Sequence, residues 1–385
     1  MKNSIKYIGV DDTDLDLFEG LYTIPNGISY NSYLIDDEKI AIMDTVDYRK
    51  CNQWMAQLSD ALCDREPSYL VIHHMEPDHA GSVAVLLEKY PNIKIVASAK
   101  ALQMLPQFFE GIDFSNKDQM MSVGEGDTLC LGKHKLKFFM APMVHWPEVM
   151  VSYEMSEKIV FSADAFGKFG ALSHQEEWAC EARRYYFNIC GKYGVPVQSL
   201  LKKLSVLEIS AIYPLHGPML RENLDYYIGL YDCWSKYAVE TDGVFIAYAS
   251  IYGGTALAAK KLAELLKVKG APKVAIADLC RDDVAEAVED AFRMGTLVLA
   301  ASSYDGDVFP PMHHFLHELQ MKGFRSRRIG IVENGSWAPS AARAIKAMLE
   351  QMKDIELVEP IVTIRSRMKQ SDIPALTTLA ESLIK

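Results

Sequence analysis

The 385-residue chain is short of everything that would mark a membrane, secreted or nucleic-acid-binding protein. No apolar run approaches the ~20 residues a membrane-spanning helix needs. The N-terminal stretch MKNSIKYIGVDDTD has no apolar core of the kind that makes a secretory signal. Basic residues are outnumbered, 40 against 51 acidic, for a formal net charge of −11, where a phosphate backbone would demand the opposite balance. The seven cysteines (Cys51, Cys63, Cys130, Cys180, Cys190, Cys233, Cys280) are odd in number and scattered, and no C-x-x-C pair occurs. That excludes a built-in cysteine-bound iron or zinc knuckle and fits a reducing compartment. Neither a G-x-G-x-x-G fingerprint nor a G-x-x-x-x-G-K-[ST] loop is present, which counts against NAD or ATP. The expectation is a cytoplasmic protein with neither nucleic acid nor membrane as its partner.

What is present is an ordinary globular composition, 49% hydrophobic and 24% charged, over a length that predicts two domains. Residues 1–240 read as short strands interrupted by helices. The best strand candidates are Ser32–Ile35, Ile40–Asp44, Tyr69–His73, Ile93–Ala97, Leu136–Ala141, Met150–Tyr153, Ile159–Ser162 and Ala211–Pro214. Helical patterns cover Tyr48–Cys63, Ser82–Tyr90, Ala99–Phe109, Trp178–Gly191 and Val197–Leu207. This is a mixed, layered α/β pattern. From Thr241 to the last residue, 241–385, the rhythm becomes strict. Five apolar strands (Val244–Ser250, Val274–Leu279, Thr296–Ser303, Ile329–Glu333, Leu357–Ile364) each precede a helix, which predicts a doubly wound, five-stranded parallel sheet covered on both faces.

The segment His74-Met75-Glu76-Pro77-Asp78-His79 follows an apolar strand and places four metal-ligand types within six residues. Its spacing lets His74 and Glu76 aim one way and Asp78 and His79 another, so one loop can serve two adjacent metals. A polar turn would also tolerate such residues one at a time. However, His145, Asp164 and His216 repeat the context, each just past an apolar strand and beside a turn-former. Strand ends that converge on one rim are where a site forms.

In the second half, Ser250-Ile251-Tyr252-Gly253-Gly254-Thr255 joins the first strand to the first helix. Hydroxyls at its ends and two glycines between let backbone N–H groups close around a phosphate. Two more loops share that sheet edge: Ser302-Ser303-Tyr304-Asp305-Gly306-Asp307 after the third strand and Asn334-Gly335-Ser336-Trp337 after the fourth. Tyr304 and Trp337 are the aromatic candidates for a ring-binding role.

The ordered set His74-x-Glu76-x-Asp78-His79, His145, Asp164, His216, followed by the phosphate loop, resembles the flavodiiron proteins along the whole chain. The resemblance implies an N-terminal metallo-β-lactamase-like αββα sandwich followed by a flavodoxin-like domain. It implies two non-haem irons, one on His74, Glu76 and His145, the other on Asp78, His79 and His216, with Asp164 bridging. Hydrolytic relatives carry a histidine where Glu76 stands and bind zinc; a carboxylate there suits redox iron better. It further implies FMN in the second domain, covered by the three loops, although the fourth-strand loop lacks the extra aromatic and glycine the family usually has before the tryptophan. His174, Tyr193 and Tyr30 are candidates to sit beside the metals. The implied activity is reduction of O2 to water, of NO to nitrous oxide, or both. Electrons would come from an external donor such as a rubredoxin, a reduced deazaflavin or an NADH-linked reductase, in a head-to-tail homodimer or a dimer of such dimers. The rival readings are a zinc-dependent lactamase-fold hydrolase fused to a flavodoxin, and an electron carrier that has lost its metals.

Overall fold

The computed structural model describes residues 4–385. Contacts within the chain gather into two compact units. One holds the described residues up to Ile189 together with Val195–Asp232; the other holds Cys190–Gly194 and Cys233–Lys385.

The first unit is a sandwich of two sheets. One sheet runs Ile5–Tyr7, Tyr33–Ile35, Ala41–Met43, Tyr69–Val71, Lys94–Ser98, Met120–Val123, antiparallel at first and parallel from Ala41–Met43 onward. The other runs Thr128–Cys130, Lys135–Met140, Met150–Glu154, Ile159–Phe161, Ala211–Tyr213, with only the last pair parallel. Tyr33, Ile35, Met43, Val71 and Val96 of the first meet Leu136, Phe138, Met150, Phe161 and Tyr213 of the second in one core. Alternation puts these side chains inward while their neighbours face outward. The helix Cys51–Leu62 buries Cys51, Trp54, Met55, Leu58 and Leu62, a stripe at helical spacing. It stops at Cys63, which adopts a left-handed conformation.

Two expected helices are broken. The Ala99–Phe109 pattern is α-helical only to Met104 and then tightens into a 3₁₀ turn, Leu105–Gln107, because Pro106 lacks the N–H that the helix needs. The Trp178–Gly191 pattern is α-helical over Trp178–Tyr185, widens to a π turn at Tyr186–Cys190 and closes in a 3₁₀ turn at Gly191–Tyr193. The extra residue of a π turn lets the consecutive rings of Tyr185, Tyr186 and Phe187 all be buried. The short strands Val10–Asp12, Leu17–Phe18, Tyr22–Thr23 and Ile28–Tyr30 add two small ribbons, too short to leave a periodic signal.

The second unit is a parallel sheet in the order Val274–Asp278, Thr241–Ala249, Met294–Tyr304, Arg325–Asn334, Lys353–Ile364. That is the 2-1-3-4-5 order of a flavodoxin-like domain. Helices Gly254–Val268 and Ile373–Leu383 pack their Leu and Ala stripes onto one face. The central strands are buried end to end, from Val244 to Ala249 and from Leu297 to Ala301, as a sheet covered on both sides requires. The loop after the third strand holds further structure: Asp307–Val308 turns back antiparallel on Ser303–Tyr304. The two residues between, Asp305 and Gly306, have φ of 50° and 78°, the Asp-Gly signature of a tight hairpin turn. Among the described residues no helix is long and apolar enough to cross a membrane.

Candidate functional site

In the first unit the ends of four strands bring the ligand candidates together. Tyr69–Val71 leads to His74 and its loop, Lys135–Met140 to His145, Ile159–Phe161 to Asp164, and Ala211–Tyr213 to His216. Pro77 opens a single helical turn, Pro77–Ala80, with Asp78 and His79 on it; this divides the loop into a Glu76 side and an Asp78 side. All seven residues converge. Asp164 lies between two groups: its Oδ2 is 3.2 Å from His74 Nε2 and 3.0 Å from His145 Nε2, its Oδ1 3.3 Å from His79 Nε2 and 3.9 Å from His216 Nε2. Glu76 Oε2 closes the first group, 2.9 Å from His145 and 3.5 Å from His74. Asp78 Oδ2 closes the second, 3.2 Å from both His79 and His216.

This arrangement fits a pair of metal ions. Both nitrogens of His74, both oxygens of Asp78, His79 Nδ1 and Asp164 Oδ1 are buried without a hydrogen-bond partner. Buried polar atoms are rarely left so, and this many at one point fit a site for cations. His79 Nε2 and His216 Nε2 also face each other at 3.0 Å. The Nδ1–H of His216 donates to the Ser29 carbonyl at 2.7 Å, leaving Nε2 as the lone pair for a metal. The donor set, three carboxylates and four imidazoles, suits iron.

Without metal the carboxylates and imidazoles share protons. Burial would favour neutral imidazole at His79, yet Asp78 and Asp164 bring it up to about 10. His145 reaches about 10 for the same reason, burial being outweighed by hydrogen bonds to Asp164 and Glu76. Asp164 resists burial and stays well below the usual carboxylate range because His74 and His145 face it.

The structure adds residues that sequence patterns could not find. Phe18 and Tyr185 pack on His216 with ring centroids 5.5 and 5.4 Å away, and Trp146 stands edge-on to both His74 and His145 at 6.4 Å. The Glu19 carboxyl is pushed up to about 8 by burial and by the charge of Glu76, to which it hydrogen-bonds. Beneath the loop, Asp44 accepts the backbone N–H of His73 at 2.7 Å and meets its Nδ1, while His73 Nε2 pairs with Ser152 Oγ at 2.8 Å. Met75 N–H is held by Glu148 at 2.9 Å. Of the three residues proposed beside the metals, Tyr30 is there, buried, with its ring 6.3 Å from that of His79 and 6.1 Å from that of His216. His174 is exposed on a loop whose backbone is tied to Asp11 through Leu172 and Ser173. Tyr193 belongs to the second compact unit.

In that second unit a cleft of about 670 Å³ opens at the carboxyl end of the sheet. Ile251, Tyr252, Gly254, Ser302, Ser303, Tyr304, Asp305, Gly306, Asn334, Gly335, Ser336 and Trp337 line it. Leu257, Ala338, Ser340, Ser366 and Arg367 also line it; the last two come from beyond the fifth strand, whose loop carries no glycine signal. Ser250, Gly253, Thr255 and Asp307 stand behind the wall. Ser250 Oγ accepts the Gly253 N–H at 3.1 Å, and Thr255 Oγ1 meets Ser302 Oγ at 2.8 Å. Gly253 has φ of 85° and leads into the 15-residue helix Gly254–Val268, whose first turn lines the cleft through Gly254 and Leu257; a helix N-terminus is a natural seat for an anion. Tyr252 is 98% exposed and Trp337 89%, so two large rings stand open at a cleft sized for a flat cofactor.

Residues 28–217 match the family model described as ODP family beta lactamase. The chain is 29% identical to the anaerobic nitric oxide reductase flavorubredoxin of Vibrio vulnificus, over 91% of this chain and 72% of that one. It is similar in structure to the rubredoxin oxygen:oxidoreductase of Desulfovibrio gigas, with a TM-score of 0.91 at 23% identity, covering 99% and 96% of the two chains. It is also similar to a mutant of the flavo di-iron protein of Thermotoga maritima, with a TM-score of 0.88 at 25% identity over 98% and 95%. A lactamase-type sandwich with a binuclear ligand set, joined to a flavodoxin-type sheet with a cofactor cleft, defines a class of two-centre oxidoreductases. In fold and in its ordered ligand set the chain is similar to the flavodiiron proteins over nearly its whole length.

Proposed function

We propose that electrons enter one at a time through FMN bound to residues 241–385 and pass to a di-iron centre held by residues 1–240, where O2, NO or both are reduced. The observation that carries this reading is the division of the Asp164 carboxylate, one oxygen toward His74 and His145, the other toward His79 and His216. A carboxylate so placed would hold two ions at once. Glu76, at the point where hydrolytic relatives carry a histidine, makes the set oxygen-rich and favours redox iron over a zinc hydrolase.

When bound, the iron pair supplies redox equivalents and coordination room for a diatomic gas, and FMN supplies one-electron transfer. The balance is four electrons and four protons per O2 reduced to two waters, or two electrons and two protons per two NO reduced to nitrous oxide and water. The chain's own residues supply placement. His73, anchored by Asp44 and Ser152, fixes the loop that presents His74 and Glu76. Phe18, Tyr185 and Trp146 line the histidines with apolar rings that restrict water. The hydroxyls and amides of loops 250–255, 302–307 and 334–337, with Ser366 and Arg367, would hold the flavin.

The names of the relatives point to a rubredoxin-type donor and to both gases. A reduced deazaflavin and an NADH-linked reductase are the other donor classes, and a head-to-tail homodimer in the cytoplasm is the proposed form. The test is metal and flavin analysis of protein made under iron-replete conditions, followed by anaerobic stopped-flow of the photoreduced protein against O2 and NO separately. Two irons and one FMN per chain, with rapid reoxidation by at least one gas, are expected. Stoichiometric zinc without iron would overturn the reading.

A further inference from the structure

Tyr30 is fully buried, and its hydroxyl makes one hydrogen bond among the described residues, one that it accepts. The donor is Arg49 Nη2, at 3.2 Å. A guanidinium can only donate, so this bond uses a lone pair of the phenol oxygen and leaves its hydrogen uncommitted. A buried O–H with no acceptor is uncommon and marks a place where something else accepts. The ring lies against His79 and His216, and burial and then the charge of Asp78 act most strongly on the phenol.

Arg49 itself is held firmly although its side chain is 50% exposed. Asp47 Oδ1 accepts both its backbone N–H, at 2.8 Å, and its Nε, at 2.9 Å; Asp47 Oδ2 accepts Nη2 at 2.9 Å. Asp47 also caps the turn Tyr48–Lys50, so the fork is fixed to the backbone that carries it. Asp12 Oδ2 lies 4.0 Å from Nη2 on the remaining side.

We infer that Arg49 is a positioning residue: by occupying the acceptor side of the Tyr30 hydroxyl, it turns the phenolic hydrogen toward a small ligand bound on the Asp78–His79–His216 side of the metal centre. The inference rests on the di-iron reading above. It adds a hydrogen-bond donor, set from the surface, for an oxygen or nitrogen atom of that ligand.

Azide, a small anion that binds oxidised di-iron sites and is followed by absorption, is the probe. Iron content of the holoprotein is measured first, and a chain without two irons would refute the di-iron reading rather than this one. In iron-replete protein, Arg49→Leu and Tyr30→Phe should each weaken azide binding about tenfold or more, the worth of one hydrogen bond to a charged acceptor. The double variant should be no weaker than either single one, and Arg49→Lys should restore most of the affinity. Unchanged azide affinity in Arg49→Leu, or losses that multiply in the double variant, would overturn the inference.

Discussion

Gly254 lies directly beneath the carbonyl of Ser366: a Cβ at this glycine would stand 2.0 Å from the oxygen. The Asn334 side-chain amide donates to that same carbonyl at 2.7 Å, so the first, fourth and fifth strand loops are locked at this point. Gly254→Ala must therefore push the loops apart, and the protein should be isolated with its iron and without FMN. Flavin absorbance alongside elemental analysis reads both. Gly253→Ala offers the contrast: nothing lies within 4 Å of its Cβ, so only the left-handed backbone is strained, at a cost of roughly 1–2 kcal/mol. That variant should keep most of its flavin.

Replacing Asp164 tests the bridge. Asp164→Ala removes an oxygen from both halves of the centre at once, so iron should fall by more than half. Gas reduction should fall by at least about a hundredfold, the upper range for losing even an indirect metal partner. Retention of two irons with full activity would remove Asp164 from the centre.

The anchor beneath the site carries a stability prediction. Asp44→Ala strips His73 of both its backbone and its ring partner in a fully buried place. Each buried donor left without its acceptor costs about 1–3 kcal/mol, and two are left here. Asp44→Asn keeps an acceptor for the backbone N–H, and asparagine tolerates the left-handed backbone at this position, φ 57°. It should lose roughly 1–3 kcal/mol. Urea unfolding of the metal-free proteins ranks the two.

Metal uptake should be steeply pH-dependent. In the metal-free protein His79 and His145 are held up at about 10 by the carboxylates that outweigh their burial. Both therefore carry protons at neutral pH and must release them to bind a metal. Because the folded values are raised, the protonated network is favoured below them, and competition from protons fades as pH rises toward 10. Apparent affinity should rise with pH across about 7–9, by about two logarithmic units per pH unit if both protons leave. A chelator competition series checks the slope.

The parts of the site legible in the sequence were those presented by neighbouring residues or by strand ends. His74 to His79 stand together because one loop carries them, and His145, Asp164 and His216 each follow an apolar strand. Tyr30 was a candidate only through the family resemblance, and Arg49 was not one, because their bond depends on a tertiary approach. Phe18, Glu19 and Tyr185 come from ribbons of two residues or from a helix end, where no periodicity marks a face. His174 had the right chemistry on the wrong surface, since nothing in a loop sequence tells which way a side chain turns. Ser366 and Arg367 left no sequence signal, because the loop after the fifth strand lacks the glycines that mark the loops after the first, third and fourth. The doubly wound order, by contrast, follows from continuous apolar strands alternating with helices, a pattern with few folded solutions.

The hairpin at Asp305–Gly306 sets a rule for how the cleft can change. Tyr304 and Asp307 face each other across a two-residue turn, and the arm is pinned by Ser340 Oγ to the Asp307 carbonyl at 2.9 Å. Strand side chains alternate, so a residue inserted between Ser303 and Tyr304 would turn Tyr304 to the opposite face, whereas two would restore it. Lengthening the turn itself to three residues or more would leave Tyr304 on its face, so the cleft wall can change its reach at the turn without changing which side chain it presents.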